Sequence, residues 1–133
     1  MPRQPLNPPS LYDSVQFGFS HAAVQTGRRT LHLAGQIGWD KDCQLVSTDL
    51  AEQSRQALAN LKAVLAEAGA TPADLVRLRT YVVDHTPDKL GPVLGAVGEF
   101  YAGAAPAPNT FVGVQSLALP GVLVEFEAVA ELD

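Results

Sequence analysis

Two carboxylates near the C-terminus, Glu125 and Glu127, alternate with Val124, Phe126 and Ala128. At the two-residue period of a strand this places both acids on one face with Leu123 and Val129, and the apolar set on the other. Carboxylates at the edge of a cleft can orient water and carry protons. Arg77 and Arg79, also two positions apart, offer guanidinium groups that either pair with those acids or anchor an anion. His21 has an ordinary pKa near neutrality and suits acid–base work, against the plainer reading of a surface histidine on a strand. His32 alternates with Leu31 and Leu33 and so faces away from them. The single cysteine, Cys43, lies in the polar run Asp40-Lys-Asp-Cys-Gln44, which reads as a loop thiol with no intrachain disulfide partner. The three histidines share no metal-ligand spacing with it, so neither a metal nor a cofactor is expected.

These residues need elements to position them. Residues 1–10 hold four prolines and no periodic pattern, which predicts a flexible, extended N-terminal arm outside the core, with the domain proper spanning 11–133. Segments at about 15–25 and 29–38 read as strands, and the Gly27-Arg28 step between them reads as a hairpin turn. Thr48 or Asp49 can cap a helix with apolar positions Leu50, Ala57, Leu61, Val64, Leu65 and Ala68, which Gly69 ends. Leu75 to Asp84 reads as a strand. Thr86-Pro87 opens a second helix striped by Leu90, Val93, Leu94, Val97, Phe100 and Tyr101. Two last strands, about 109–118 and 121–131, flank Leu119-Pro-Gly121.

Each helix carries one apolar stripe, so both are expected on one face of a mixed sheet, giving a single α+β domain. The opposite face mixes aliphatic residues with Glu125 and Glu127, a combination suited to burial against another copy of the chain with polar groups left at a cleft. With 133 residues, 47% hydrophobic and 17% charged, the chain suits one globular domain. Nine Lys and Arg against fourteen Asp and Glu give a net charge of -5, with no clustered basic face for nucleic acid. No apolar run approaches the roughly 18 residues of a membrane span, and Met-Pro-Arg-Gln-Pro is no signal peptide, so a cytoplasmic location is the expectation.

Five pieces in order carry a family resemblance: Phe19-Ser-His-Ala22, Ala34-Gly-Gln-Ile-Gly38, Gln53-Ser-Arg-Gln-Ala-Leu-Ala-Asn-Leu61, Arg79-Thr-Tyr-Val-Val-Asp84 and Val124-Glu-Phe-Glu-Ala-Val-Ala130. Together they resemble the RidA (YjgF, endoribonuclease L-PSP-like) family from about residue 11 to residue 131. That resemblance implies a chorismate-mutase-like fold, a homotrimer with a small-molecule ligand in each inter-subunit cleft, and hydrolysis of reactive enamines and imines to a carbonyl compound and ammonia. It also implies a backbone contact at Gly35 and a water-positioning carboxylate at Glu125.

The other family positions fall on different residues here. The substrate-anchoring arginine falls on Asn109, the first-strand tyrosine on Phe19, and the cysteine two positions past the arginine on Phe111. Asn109 donates a hydrogen bond without charge or a guanidinium fork, a loss of about 1.5–3 kcal/mol toward a carboxylate. Phe19 and Phe111 make the expected pocket more apolar. An imine or enamine deaminase with altered or weak substrate preference, catalysed by Glu125, is therefore the leading expectation. A non-enzymatic small-molecule-binding trimer is the alternative. RNA cleavage, which the endoribonuclease name suggests, sits poorly with the acidic balance.

Overall fold

The computed structural model describes residues 3–133. In chain order the elements are β1 (Arg3–Leu6), β2 (Ala22–Gln25), β3 (Arg29–Gln36), α1 (Leu50–Glu67), β4 (Leu75–Val83), α2 (Leu90–Tyr101), β5 (Asn109–Val114) and β6 (Val124–Leu132). The main sheet runs β3-β6-β4-β5. β6 is antiparallel to both of its neighbours, while β4 and β5 are parallel. A parallel pair needs a crossover, and α2 supplies it between β4 and β5. α1 likewise joins β3 to β4, and the two helices pack on each other and on one face of the sheet.

Sequence explains both ends of α1. Asp49 caps α1, its carboxylate accepting from the Glu52 N–H at 3.0 Å, and Gly69 ends that helix region at φ +76°. α1 buries Ala57, Leu61 and Leu65 as expected, adds Leu58, and leaves Val64 exposed. Pro92 lies in the first turn of α2, where a missing N–H costs nothing. Against these helices β6 turns Val124, Phe126, Ala128 and Ala130, all buried.

The N-terminal third differs from the expectation in two ways. The arm predicted for residues 1–10 contains β1, which pairs with β2; Met1 and Pro2 lie outside the described residues. The Arg3 side chain is buried and donates to the carbonyls of Ala73 and Ala105, a long-range tie that no local pattern announces. The predicted hairpin between 15–25 and 29–38 is also absent. Val15–Phe17 is a 3-10 turn, so the strand begins only at Ala22. Asn7 sets that turn region: its Oδ1 accepts from the Ser14 hydroxyl at 3.2 Å and the His21 N–H at 2.8 Å. At Gly27 a Cβ would lie 2.2 Å from the Leu132 carbonyl oxygen, and the Arg28 N–H donates to that same oxygen at 3.0 Å. The chain is thereby steered onto β6 and away from β2. At the other end, β5 stops at Val114 and β6 starts at Val124, leaving 115–123 as a loop in place of strand ends.

A polar side chain in the core holds that loop. Gln53 is fully buried on α1; its amide donates to the carbonyls of Ser47 and Gly121, each at 2.9 Å, and its Oε1 accepts from the Leu123 N–H at 2.9 Å. Gln53→Leu keeps the volume but strands three backbone groups, each worth about 1–3 kcal/mol when unpaired. The expected loss is at least about 3 kcal/mol in urea unfolding; a loss below about 1 kcal/mol would show that water replaces the amide without cost.

Candidate active site

The open face of the sheet carries the carboxylates. Because Phe126 and its alternating neighbours face the helices, Glu125 and Glu127 face the other way, both half-exposed. Tyr81 and Arg79 of β4 lie opposite them in register. Glu127 is engaged on two sides, accepting from the Tyr81 hydroxyl and pairing with Arg79 at 3.5 Å. The Tyr81 phenol is correspondingly pushed above its ordinary pKa, chiefly by that hydrogen bond.

Glu125 sits differently. β3 bulges between Leu33 and Gln36, which oppose Ala128 and Phe126, so two residues, Ala34 and Gly35, occupy the place of one. A Cβ at Gly35 would stand 2.4 Å from Oε2 of Glu125 and 2.7 Å from its Cδ. The carboxyl thus occupies the space that any other residue at position 35 would fill. Among the described residues no positive charge or donor offsets its partial burial. Its pKa is raised, first by desolvation and then by repulsion from Glu127. Two neighbouring acids therefore have different duties available: Glu127 is tied into a network, and Glu125 holds a proton more readily than an ordinary carboxylate.

A second group of predicted site residues gathers at the start of β4 and β5. A cavity of about 370 Å³ is lined by Phe19, Ser20, His21, Arg77, Pro108 and Asn109, among others. Asn109 accepts from the buried Thr80 hydroxyl through Oδ1 at 3.2 Å, which leaves its Nδ2 hydrogens for the cavity. His21 meets the Tyr12 carbonyl through Nε2 at 2.8 Å, so that nitrogen carries the proton, and its ring lies edge-on to Tyr12 at 4.7 Å and to Phe19 at 5.9 Å.

Within one chain the two groups stay apart. Glu125 is opposite Tyr81 on the open face, whereas Asn109 is opposite Leu78, whose side chain is buried toward the helices. Phe111 joins neither group. It packs partly against the core and edge-on to His85 at 4.9 Å, so it does not share the apolar wall expected with Phe19. The reason is register: Phe111 lies beside Thr80, a helix-facing position. His32 is exposed, and Cys43 is an exposed loop thiol at φ +60°. Among the described residues no three His, Cys, Asp or Glu gather as a metal site, and no helix is long and apolar enough to cross a membrane.

Two residues that brace the strands around Glu125 and Glu127 stand outside the sequence-based expectation. Tyr81 is one, although its two-residue spacing from Arg79 places both on one face. Asn60 is the other; its amide donates to the carbonyls of Ile37 and Trp39 at 3.0 and 2.9 Å and fixes the end of the Gly35 segment to α1.

Residues 14–132 match the endoribonuclease L-PSP family. The chain belongs to this family, the RidA/YjgF group. A Rid-family protein of Yersinia pestis, YyfB, is 56% identical over 99% of this chain and 100% of its own, with a TM-score of 0.96. The RutC family protein of Pyrococcus abyssi is 33% identical over 110 residues, 81% of this chain and 82% of its own length. The 2-iminobutanoate/2-iminopropanoate deaminase of Rattus norvegicus is 35% identical over 104 residues, 77% of this chain and 72% of its own. The two helices on a mixed sheet are the RidA-type α+β arrangement, shared at a TM-score of 0.66 with a YjgF/YER057c/UK114-family structure from Mycobacterium tuberculosis that is 31% identical.

The raised Glu125 pKa gives a signed stability prediction for this RidA-family chain. A carboxyl whose folded pKa exceeds its unfolded value favours the folded state below the unfolded pKa, and that contribution is lost as pH rises through the folded pKa. Glu125→Gln never ionises, so the variant should melt higher than the parent at neutral pH, with the gap closing as pH falls below the ordinary glutamate range. Thermal melts of both proteins from about pH 3.5 to 7.5 check this; a variant that is less stable at neutral pH would show that the carboxylate is held by a favourable partner.

Proposed function

We propose that this chain hydrolyses small reactive imines or enamines to a carbonyl compound and ammonia, with a substrate preference shifted from that of relatives carrying an arginine at position 109. The observation that carries this reading is the Glu125 carboxyl, seated against Gly35 without a pairing partner among the described residues and with its pKa raised. Support comes from relatives named 2-iminobutanoate/2-iminopropanoate deaminase. The shift in preference follows from Asn109, which faces its cavity with an amide where the resemblance leads one to expect a guanidinium.

One group that readily gains and loses a proton is sufficient for such a hydrolysis. The protonated Glu125 gives its proton to the imine nitrogen. Water then adds to the carbon, and the Glu125 carboxylate takes the water proton. The same proton passes to the amine of the resulting carbinolamine. Glu125 finally accepts the hydroxyl proton as the C–N bond breaks, ammonia leaves and the carbonyl closes. The carboxyl ends protonated, as it began.

The reading includes assembly as a homotrimer in the cytoplasm. Glu125 and the Asn109 amide lie on different faces of one chain, so a site that uses both draws them from two copies. Exposed Val112 and half-buried Val129 on the open face suit a subunit contact.

The test is ammonia release from freshly generated 2-iminopropanoate and 2-aminoacrylate. The parent should accelerate it, and Glu125→Gln should lower the rate by about 10²–10⁴-fold without changing the sedimentation coefficient. Activity in the variant equal to the parent's overturns the catalytic role of Glu125. No acceleration by the parent, together with saturable ligand binding, would establish a binding protein on the same fold.

A further inference from the structure

The cavity beside β5 contains a charge that the family resemblance does not account for. Among the described residues Arg77 is the only Arg, Lys, Asp or Glu lining it, so no carboxylate borders it. Arg77 and Arg79 look equivalent in sequence, two positions apart on one strand, yet the structure separates their duties. Arg79 is committed to Glu127 at 3.5 Å. Among the described residues Arg77 has no ion-pair partner, and its side chain is exposed.

Register against β6 causes the separation. β4 buries Leu75 and Leu78, three positions apart where strict alternation would require two or four. Its pairing with β6 slips between Leu75 and Arg77, leaving Arg77 opposite Val129 and Arg79 opposite Glu127. Arg77 is therefore beside an aliphatic residue on β6 and borders the cavity in which Asn109 lies. The Asn109 Oδ1 accepts from the Thr80 hydroxyl, and its Nδ2 hydrogens remain available to donate. A guanidinium and a primary amide that both present N–H groups, with Phe19, Val76, Ala22 and Pro108 as apolar walls, make a receptor for a small carboxylate bearing an apolar group.

We propose that Arg77 is the substrate-anchoring cation of this chain, gripping the carboxylate of a 2-imino or 2-oxo acid while Asn109 Nδ2 donates alongside. The imino group in that ligand rests on the hydrolase reading above; the carboxylate contact does not. With its anchor on β4 instead of β5, the acid lies displaced within the cavity. A displaced anchor accounts for an altered preference without an absent one.

The experiment uses the full chain with pyruvate as the charged probe and methyl pyruvate as its neutral counterpart, read by ligand-observed NMR and calorimetry. Arg77→Met should weaken pyruvate binding by about tenfold or more and leave methyl pyruvate unchanged, because only the charged contact is removed. Arg77→Lys, which keeps the charge but not the fork, should fall between. In turnover of 2-iminopropanoate the Met variant should raise KM while kcat falls little. Pyruvate binding by Arg77→Met equal to the parent's, or no pyruvate binding by the parent, overturns the proposal. A parent that binds pyruvate through Arg77 but releases no ammonia from imines upholds the anchor and sinks the hydrolase reading, so the two fail separately.

Discussion

The contact on which the proposed chemistry depends is a carboxyl lodged where a glycine has no side chain. Glu125 reaches over the β3 bulge, and its Oε2 takes up room that a Cβ at Gly35 would need. Burial against the close backbone desolvates the charged form, and repulsion from Glu127 disfavours it further, with no cation to offset either among the described residues. The bulge matters as much as the glycine. Without the extra residue, β3 would keep regular alternation past Leu33 and the close approach would be lost.

The rest of the architecture keeps that carboxyl accessible. Two crossovers on the same side of the sheet put both helices over Val124, Phe126 and Ala128, so the intervening acids of β6 face away from the core. The segments flanking them are held by side-chain amides. Gln53 fixes the loop that feeds β6, and Asn60 fixes the strand end beyond Gly35, each by bonding backbone carbonyls outside the sheet ladder. Both amides project from α1, so the helix that supplies the core also positions the two strands of the site. Glu127 plays the complementary role, since its links to Tyr81 and Arg79 hold β6 to β4.

Much of this is legible in the sequence. Period-two alternation in β6 places Glu125 and Glu127 on the open face, the two helical stripes give the covered face, and the Gly35 and Glu125 positions follow from the family resemblance. What escapes does so for identifiable reasons. A β-bulge is one residue out of step, and the β4 bulge has no proline or glycine to announce it; Arg77 and Arg79 look interchangeable because only their partners on β6, Val129 and Glu127, tell them apart. β1 pairs with a strand well along the chain, Arg3 opposite Gln25, and is held by a buried guanidinium bonded to the carbonyls of Ala73 and Ala105, contacts with no local signature. The same is true of the missing hairpin: Gly27 reads as a hairpin turn, but no turn forms there, and its close neighbour is the carbonyl of Leu132 at the far end of the chain. Within one chain Phe111 lies apart from Phe19 because the sheet face of a short edge strand is set by its register with Thr80, not by its own pattern.

If the Gly35 seat and the neighbouring Glu127 set the proton affinity of Glu125, that affinity is directly observable in the resting protein. Carbon-13 NMR of glutamate side-chain carboxyls, with Glu125 assigned through the Gln variant, follows each acid across an acid-to-neutral titration. The Glu125 carboxyl should titrate above the ordinary glutamate value and above the other resolved glutamates. A Glu125 midpoint at or below the ordinary value would contradict this, since a carboxylate that ionises so easily has a stabilising partner and is not the group that carries the proton.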